Sequence, residues 1–152
     1  GRPREDYMKR YQLGIDSTHF TTVINAMEKV LQPGGTAWRA APKDIVVCGK
    51  TGTVQNAGGK EDHAVFICFA PKDNPQIAVA TVVENSGFGA QNAAPIARRV
   101  LDFVILGQYP SEEDIAAVQK GQATRPIGKP RDVANLPWPP KTITAAAKPE
   151  KP

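Results

Sequence analysis

The sequence predicts an α+β fold, an antiparallel sheet covered by helices. Three observations lead there. The stretch over 17–31 repeats its apolar residues with a helical period. Three apolar, β-branched runs follow over 45–84 with only short connections, and a second helical pattern follows over 93–106. Strands joined by short connections pair antiparallel, because parallel neighbours need a long crossover. Helices flanking such a run bury their apolar stripes on the sheet.

From Ser17 to Leu31, the residues Phe20, Val23, Ile24, Met27, Val30 and Leu31 form one stripe at helical spacing. Asp16 or Ser17 can cap the free N–H groups at its start, and Pro33-Gly34-Gly35 stops it. Ile45-Val46-Val47-Cys48 runs into Gly49-Lys50-Thr51-Gly52-Thr53, which predicts one strand over Ile45–Val54. Gln55 to Asp62, with Asn56 and Gly58-Gly59, reads as a hairpin loop. The second strand runs from His63 to Ala70 and is closed by Pro71. Lys72 to Pro75 turns the chain, and Ile77 to Glu84 is the third strand. All three are almost continuously apolar, so both faces of the sheet are expected to be covered. A three-stranded sheet of that kind looks unfinished, as if further strands and helices belonged to it.

Asn92 can cap a helix over Ala93–Leu106, with Pro95 in its first turn and Gly107 at its end. Ile96, Val100, Phe103 and Val104 form its narrow apolar face, while Arg98-Arg99 reads as a solvated face. Ser111-Glu112-Glu113-Asp114 opens a short helix that ends near Gly121.

Composition divides the chain of 152 residues near Gly107. Residues 1–106 hold 27 Leu, Ile, Val or Phe, whereas 107–152 hold six, together with eight of the fourteen prolines. A tract that poor in large apolar residues cannot offset its chain entropy by burial. The expected organisation is a lead-in over 1–15, a folded portion over 16–106, a short helical extension over 107–121 and a Pro-rich, disordered tail over 122–152. Pro137-Trp138-Pro139-Pro140 in that tail suits a polyproline conformation.

Nineteen basic against fifteen acidic residues give +4, too weak an excess to indicate a nucleic-acid partner. No apolar run approaches the roughly 18 residues of a membrane span, and the N-terminus has no apolar segment of a signal peptide. His19 and His63 have no Cys or His at ligand spacing, so no metal site is expected. The two cysteines exclude a disulfide-dense scaffold. If the hairpin pairs Thr53 with His63, Cys48 lies directly opposite Cys68. The two would then bridge in an oxidising compartment or remain small buried thiols.

Chemistry concentrates at Lys50-Thr51-Gly52-Thr53, at the end of an apolar strand. Gly49-Lys50-Thr51 matches the end of a phosphate-binding loop, but that pattern needs glycine where Asp44 stands, and 44–48 reads as a strand. The alternative is the Lys-Thr-Gly strand of the serine acyltransferases that react with penicillin. Lysine supplies a fixed positive charge beside a nucleophile, threonine a hydroxyl for a carboxylate, and glycine room for an acyl chain. A backbone N–H at Thr53 can donate to a tetrahedral oxyanion. On four residues alone, a plain edge strand with an exposed lysine explains the motif as well.

The flanks decide between these readings. Gly34-Gly35-Thr36-Ala37 precedes the motif, behind a helix containing Ala26-Met27. Asp62-His63-Ala64-Val65-Phe66 and Phe69-Ala70-Pro71-Lys72-Asp73-Asn74-Pro75-Gln76-Ile77-Ala78-Val79-Ala80 follow it. Val83-Glu84-Asn85, a glycine-rich turn and Arg98-Arg99-Val100-Leu101-Asp102 come next. This succession resembles the C-terminal part of the transpeptidase domain of class B penicillin-binding proteins, most closely the elongation type. The resemblance covers about Asp16 to Leu106 and implies part of a penicillin-binding, serine β-lactamase-like transpeptidase fold.

The resemblance implies that Lys50 and Thr53 are catalytic, and that Thr51, Gly52 and Thr53 bind substrate. Lys50 would hydrogen-bond the serine of a Ser-x-Asn element, and Thr51 would contact the carboxylate of penicillin or of the donor peptide. Gly52 would leave room for the substrate backbone, and Thr53 would supply an oxyanion N–H. The Gln55–Asp62 loop would border the groove. The implied reaction is metal- and cofactor-free acyl transfer between peptidoglycan stem peptides through an acyl-serine. The implied partners are stem peptides, β-lactam antibiotics and membrane proteins of cell-wall elongation. The implied location is the periplasmic face of the bacterial inner membrane, with an N-terminal anchor outside this sequence.

The nucleophile itself is missing. Ser17, Ser86 and Ser111 are followed three positions on by Phe20, Gly89 and Asp114, so none begins a Ser-x-x-Lys. Two positions on stand His19, Phe88 and Glu113, so none begins a Ser-x-Asn. Both elements precede Lys-Thr-Gly in the family, as expected of a C-terminal portion of a longer protein. A β-lactam sensor or β-lactamase relative, and a non-catalytic interaction module, are the alternatives. The chain by itself is expected not to be acylated by penicillin. Intact mass after incubation checks this, and a stable adduct on any of the three serines would overturn the mapping.

Overall fold

The computed structural model describes residues 4, 5, 9, 11–120, 122 and 125–136. In it, α1 (Ser17–Lys29) leads through a 3-10 turn (Trp38–Ala40) into β1 (Cys48–Val54), β2 (His63–Ala70) and β3 (Ile77–Val83). The short α2 (Gly89–Asn92) and the longer α3 (Ala94–Leu106) follow. A last unit consists of β4 (Gln108–Tyr109), α4 (Glu112–Gln119), β5 (Arg131–Asp132) and a 3-10 turn (Val133–Asn135). The expected α+β arrangement is present: β1, β2 and β3 form an antiparallel meander in that order.

Asp16 caps α1, its Oδ1 accepting the Thr18 N–H and hydroxyl at 2.8 Å each. These bonds hold the Asp16 carboxyl below its usual range. The apolar stripe of α1 enters the core only at its end. Leu31 is buried, Val30 packs against the core, and Phe20 and Val23 lie exposed. Lys72 ties the helix to the β2–β3 turn, donating to Glu28 Oε2 at 2.5 Å and to Asn25 Oδ1 at 2.8 Å. That ammonium holds the Glu28 carboxyl below its ordinary value. The tie is therefore complete at neutral pH and is lost as pH falls through the lowered value.

β1 begins three residues later than expected, at Cys48 rather than Ile45. Its partner strand ends at Ala70, and Pro71 has no N–H to extend the ladder. The Val46 carbonyl instead accepts the Lys72 N–H at 2.9 Å. β3 likewise stops at Val83, one residue before Glu84.

The register differs by one residue from the pairing of Thr53 with His63. Thr53 faces Ala64, Cys48 faces Phe69, and Gly49 faces Cys68. Because strand side chains alternate, this slip puts the two cysteines on opposite faces of the sheet. Both are buried free thiols. Burial raises the Cys48 thiol and pushes Cys68 up to about 11.

The helices cover one face of the sheet rather than both. Ala64, Phe66, Cys68 and Ala70 of β2 point into a core built with Leu31, Ala37, Ala40, Ala93, Ala94, Ala97 and Leu101. On the other face Ile67 is 46% and Val82 63% exposed. The core is alanine-rich, and this shifts the buried face of α3. Ala94, Pro95, Ala97, Leu101 and Asp102 are buried, while Ile96, Val100 and Val104, expected inside, lie outside. Asn92 does not cap α3; its amide donates to the Ser86 carbonyl. Gly107 ends the helix in the left-handed region as expected.

Arg98 and Arg99 are not a solvated face. Arg98 grips Asp102 through Nε at 2.7 and 2.8 Å and donates from Nη1 to the Ala41 carbonyl at 2.6 Å. Arg99 makes a two-pronged pair with Asp114, Nη2 to Oδ1 at 2.6 Å and Nε to Oδ2 at 2.8 Å. Asp114 is fully buried and also accepts the Ile127 N–H at 3.2 Å. Ser111 caps α4 at the Asp114 N–H and donates its hydroxyl to the Ile127 carbonyl at 2.7 Å.

Residues 125–136 therefore depart from the expected unpacked tail. Their polar backbone docks on α4 and β4, where Gln108 pairs Asp132 and Tyr109 pairs Arg131. Pro137-Trp138-Pro139-Pro140 lies outside the described residues.

Asp114→Ala would leave a buried guanidinium unpaired and is expected to cost about 3 kcal/mol. A urea titration checks this, and an unchanged midpoint would show that the extension does not depend on the pair.

Candidate functional site

β1 carries all four motif residues and is an edge strand. It pairs β2 on one side, and no described strand pairs the other. Its free edge can hydrogen-bond an extended chain laid beside it. Alternation sorts the side chains. Lys50 and Gly52 lie opposite Ile67 and Val65, whereas Thr51 and Thr53 lie opposite Phe66 and Ala64 on the face that packs the core.

Lys50 is exposed and has no carboxylate partner among the described residues. Its Nζ donates to the Thr51 carbonyl at 2.5 Å, which folds the ammonium back along the strand. The Thr51 hydroxyl is 3.3 Å from the Thr36 hydroxyl, close enough for one to donate to the other. A Cβ on Gly52 would come within 3.3 Å of Val65 Cβ, so glycine keeps the two strands close. Thr53 is exposed.

A second glycine fixes the strand from the core side. A Cβ on Gly89 would overlap the carbonyl oxygens of Val65 and Gly52 and lie 3.2 Å from the Gly52 nitrogen. The first turn of α2 thus rests directly on the motif backbone.

The loops at the end of the strand are joined. Ser86 and Gly87 donate backbone N–H groups to the Asp62 carbonyl at 2.9 and 2.8 Å. Asn56 donates its side-chain amide to Asn85 Oδ1 at 2.6 Å. The Asn85 N–H donates to His63 Nδ1 at 3.1 Å, an arrangement made possible by a left-handed backbone at Asn85, φ 50°. The Gln55–Asp62 loop is thereby pinned beside the motif. His63 opens β2 as expected and serves this loop, while His19 is exposed on α1.

Sequence reasoning assigned no role to Thr36 or Gly89. Thr36 stands in a block quoted for the resemblance and Gly89 in its glycine-rich turn. Only the folded chain shows that both touch β1.

A family model described as the penicillin-binding protein transpeptidase domain matches residues 5–102. The chain belongs to that family. It is 39% identical over 94 residues to the peptidoglycan D,D-transpeptidase MrdA of Haemophilus influenzae, covering 52% of this chain and 14% of the relative. The corresponding Escherichia coli K12 protein is 36% identical over 93 residues, covering 50% and 14%.

Among solved structures, penicillin-binding protein 2 of Pseudomonas aeruginosa superimposes with a TM-score of 0.54 at 40% identity. The match covers 60% of this chain and 20% of that one. A ceftriaxone acyl-enzyme of penicillin-binding protein A from Mycobacterium tuberculosis gives 0.53 at 28% identity, covering 60% and 22%. The chain therefore spans only about a fifth or less of each of these four relatives. Among its described residues no helix is long and apolar enough to cross a membrane.

Gly89→Ala is expected to force α2 off β1 and to cost about 1–3 kcal/mol. Chemical denaturation checks this, and wild-type stability would show that the contact yields freely.

Proposed function

We propose that this chain is the Lys-Thr-Gly portion of a peptidoglycan D,D-transpeptidase that cross-links stem peptides during cell-wall elongation and is trapped by penicillin. The observation that carries the reading is the free edge of β1. It presents Lys50, Thr51, Gly52 and Thr53 in order beside a pinned loop. Relatives named as peptidoglycan D,D-transpeptidases support it.

The acyl donor lies along that edge, where Gly52 carries no side chain to block it. A serine from a Ser-x-x-Lys element outside this chain attacks the donor carbonyl. The resulting oxyanion takes a hydrogen bond from the Thr53 backbone N–H. Lys50, unpaired by any described carboxylate, places its charge where the nucleophile and the oxyanion develop negative charge. Thr51 receives the donor carboxylate through its hydroxyl. The adduct collapses by breaking the donor amide C–N bond, and the C-terminal residue leaves as its amine after taking a proton. The amine of a second stem peptide then attacks the acyl-serine ester and frees the serine, and no metal takes part. The working enzyme sits on the periplasmic face of the inner membrane, anchored upstream, with other membrane proteins of elongation as neighbours.

Lys50→Ala in the full-length protein is expected to lower the rate of penicillin acylation by at least about a hundredfold, with folding intact. Stopped acylation assays beside a circular dichroism spectrum check this. Near-normal acylation would remove Lys50 from the site.

A further inference from the structure

The extension that follows α3 builds one wall of a cavity of about 550 Å³. Gln108 and residues 125–128 stand on that wall, and Trp38, Arg39, Lys43 and Asp44 close it from the segment before β1. The family model stops at residue 102, so the wall lies beyond the stretch it matches. None of Lys50, Thr51, Gly52 and Thr53 lines the cavity. A second cavity of about 310 Å³ shares Lys43, Arg98 and Gln108 with the first and runs on past Tyr109, Pro110 and Pro130. The two form one groove along the seam between the extension and the rest of the chain.

The larger part of the groove is basic. Arg39, Lys43, Arg98 and Arg125 line it, against Asp44 as the one carboxylate among the described lining residues. Arg98 is already engaged by Asp102 and by the Ala41 carbonyl. Arg39, Lys43 and Arg125 are exposed, and no carboxylate among the described residues pairs with any of them. The Arg39 guanidinium stacks over the Trp38 ring at 5.3 Å. A guanidinium held on an indole is restrained before a ligand arrives, so less entropy is lost on binding. The three cations come from separate segments: the first 3-10 turn, the connection into β1 and the extension. Like charges brought together by folding repel, and a ligand of opposite sign relieves that repulsion.

The end of the chain does not complement this charge. Residues 137–152 hold three lysines against one glutamate. A compact phosphate also fits poorly. Phosphate sites draw on helix N-termini and cradles of backbone N–H groups. The helix end at this cavity is instead the C-terminal end of α3 at Leu106, whose carbonyl groups carry partial negative charge. Cations spread over three segments, in a groove that continues between rings, match carboxylates spaced along an extended chain. We propose that the groove binds an acidic segment of a partner protein, whose carboxylates pair with Arg39, Lys43 and Arg125. The proposal stands independently of the transpeptidase reading.

The test is fluorescence anisotropy of a fluorescein-labelled hexaglutamate peptide with the full-length protein at low salt. Arg125→Glu and Lys43→Glu are each expected to raise the dissociation constant about tenfold, and added salt to raise it as well. Lys50→Ala, at the motif edge, is expected to leave it within about twofold. Both reversed side chains are exposed, so circular dichroism is expected to match the wild type; Arg125→Gln, a milder change, is expected to weaken binding in the same direction. A wild-type protein that does not bind hexaglutamate overturns the proposal, as does binding that survives both charge reversals. So does a loss on Lys50→Ala as large as that on Arg125→Glu, which places the peptide at the motif edge. Inorganic phosphate that displaces the peptide at equal concentration, or phosphatidylglycerol vesicles bound in its place, also overturns it.

Discussion

The close approach of helix to sheet over the motif strand is the constraint on which the rest of this structure depends. At Gly89 the backbone of α2 lies on the backbone of Gly52 and Val65, with no space for a single methyl group. Ala93, Ala94 and Ala97 continue that approach, against Ala64, Phe66 and Cys68 of β2. Small side chains forgo much of the apolar area that larger ones would bury. In exchange the helices lie near enough to dictate where β1 runs. A larger residue at any of these points would lift the helix and move the strand that carries Lys50 to Thr53.

The second organising contact lies at the far side of α3. Arg99 meets Asp114 with both prongs of its guanidinium, and Asp114 also receives the Ile127 N–H. Every buried side-chain polar atom among the described residues finds a partner. This matters because a buried ion pair stabilises only when its remaining hydrogen-bonding groups are satisfied. The extension is poor in large apolar residues. It is held by this polar network, by the Ser111 cap and by the short β4–β5 ladder, instead of by a second core.

Local pattern was legible in the sequence where local physics decides it. The limits of β2 followed from a β-branched run closed by Pro71, and the end of α3 from Gly107. Where two elements had to be aligned, the pattern was insufficient. A register one residue different from the expected pairing separates Cys48 from Cys68 by the full thickness of the sheet. For α3, alanines carry too little hydrophobic signal to outweigh Ile96, Val100 and Val104, yet their size decides which face of the helix touches the sheet. The arginines misled for a related reason: a charged pair in sequence reads as surface until a buried carboxylate fifteen residues away is known to reach it.

The sequence by itself determined the types of α1, β1 to β3, α3 and α4, the antiparallel meander and the position of Lys50-Thr51-Gly52-Thr53 on a strand. These follow from apolar period, turn chemistry and chain order, all of which are local. The tertiary structure alone decided that β1 pairs no second strand among the described residues and that Gly89 braces it. It alone decided that Thr36 meets Thr51 and that Arg39 lines a cavity at their side. Residues distant along the chain come together only when the core closes, and whether they touch depends on differences of a single methyl group or a single register step. Composition and spacing do not carry that information.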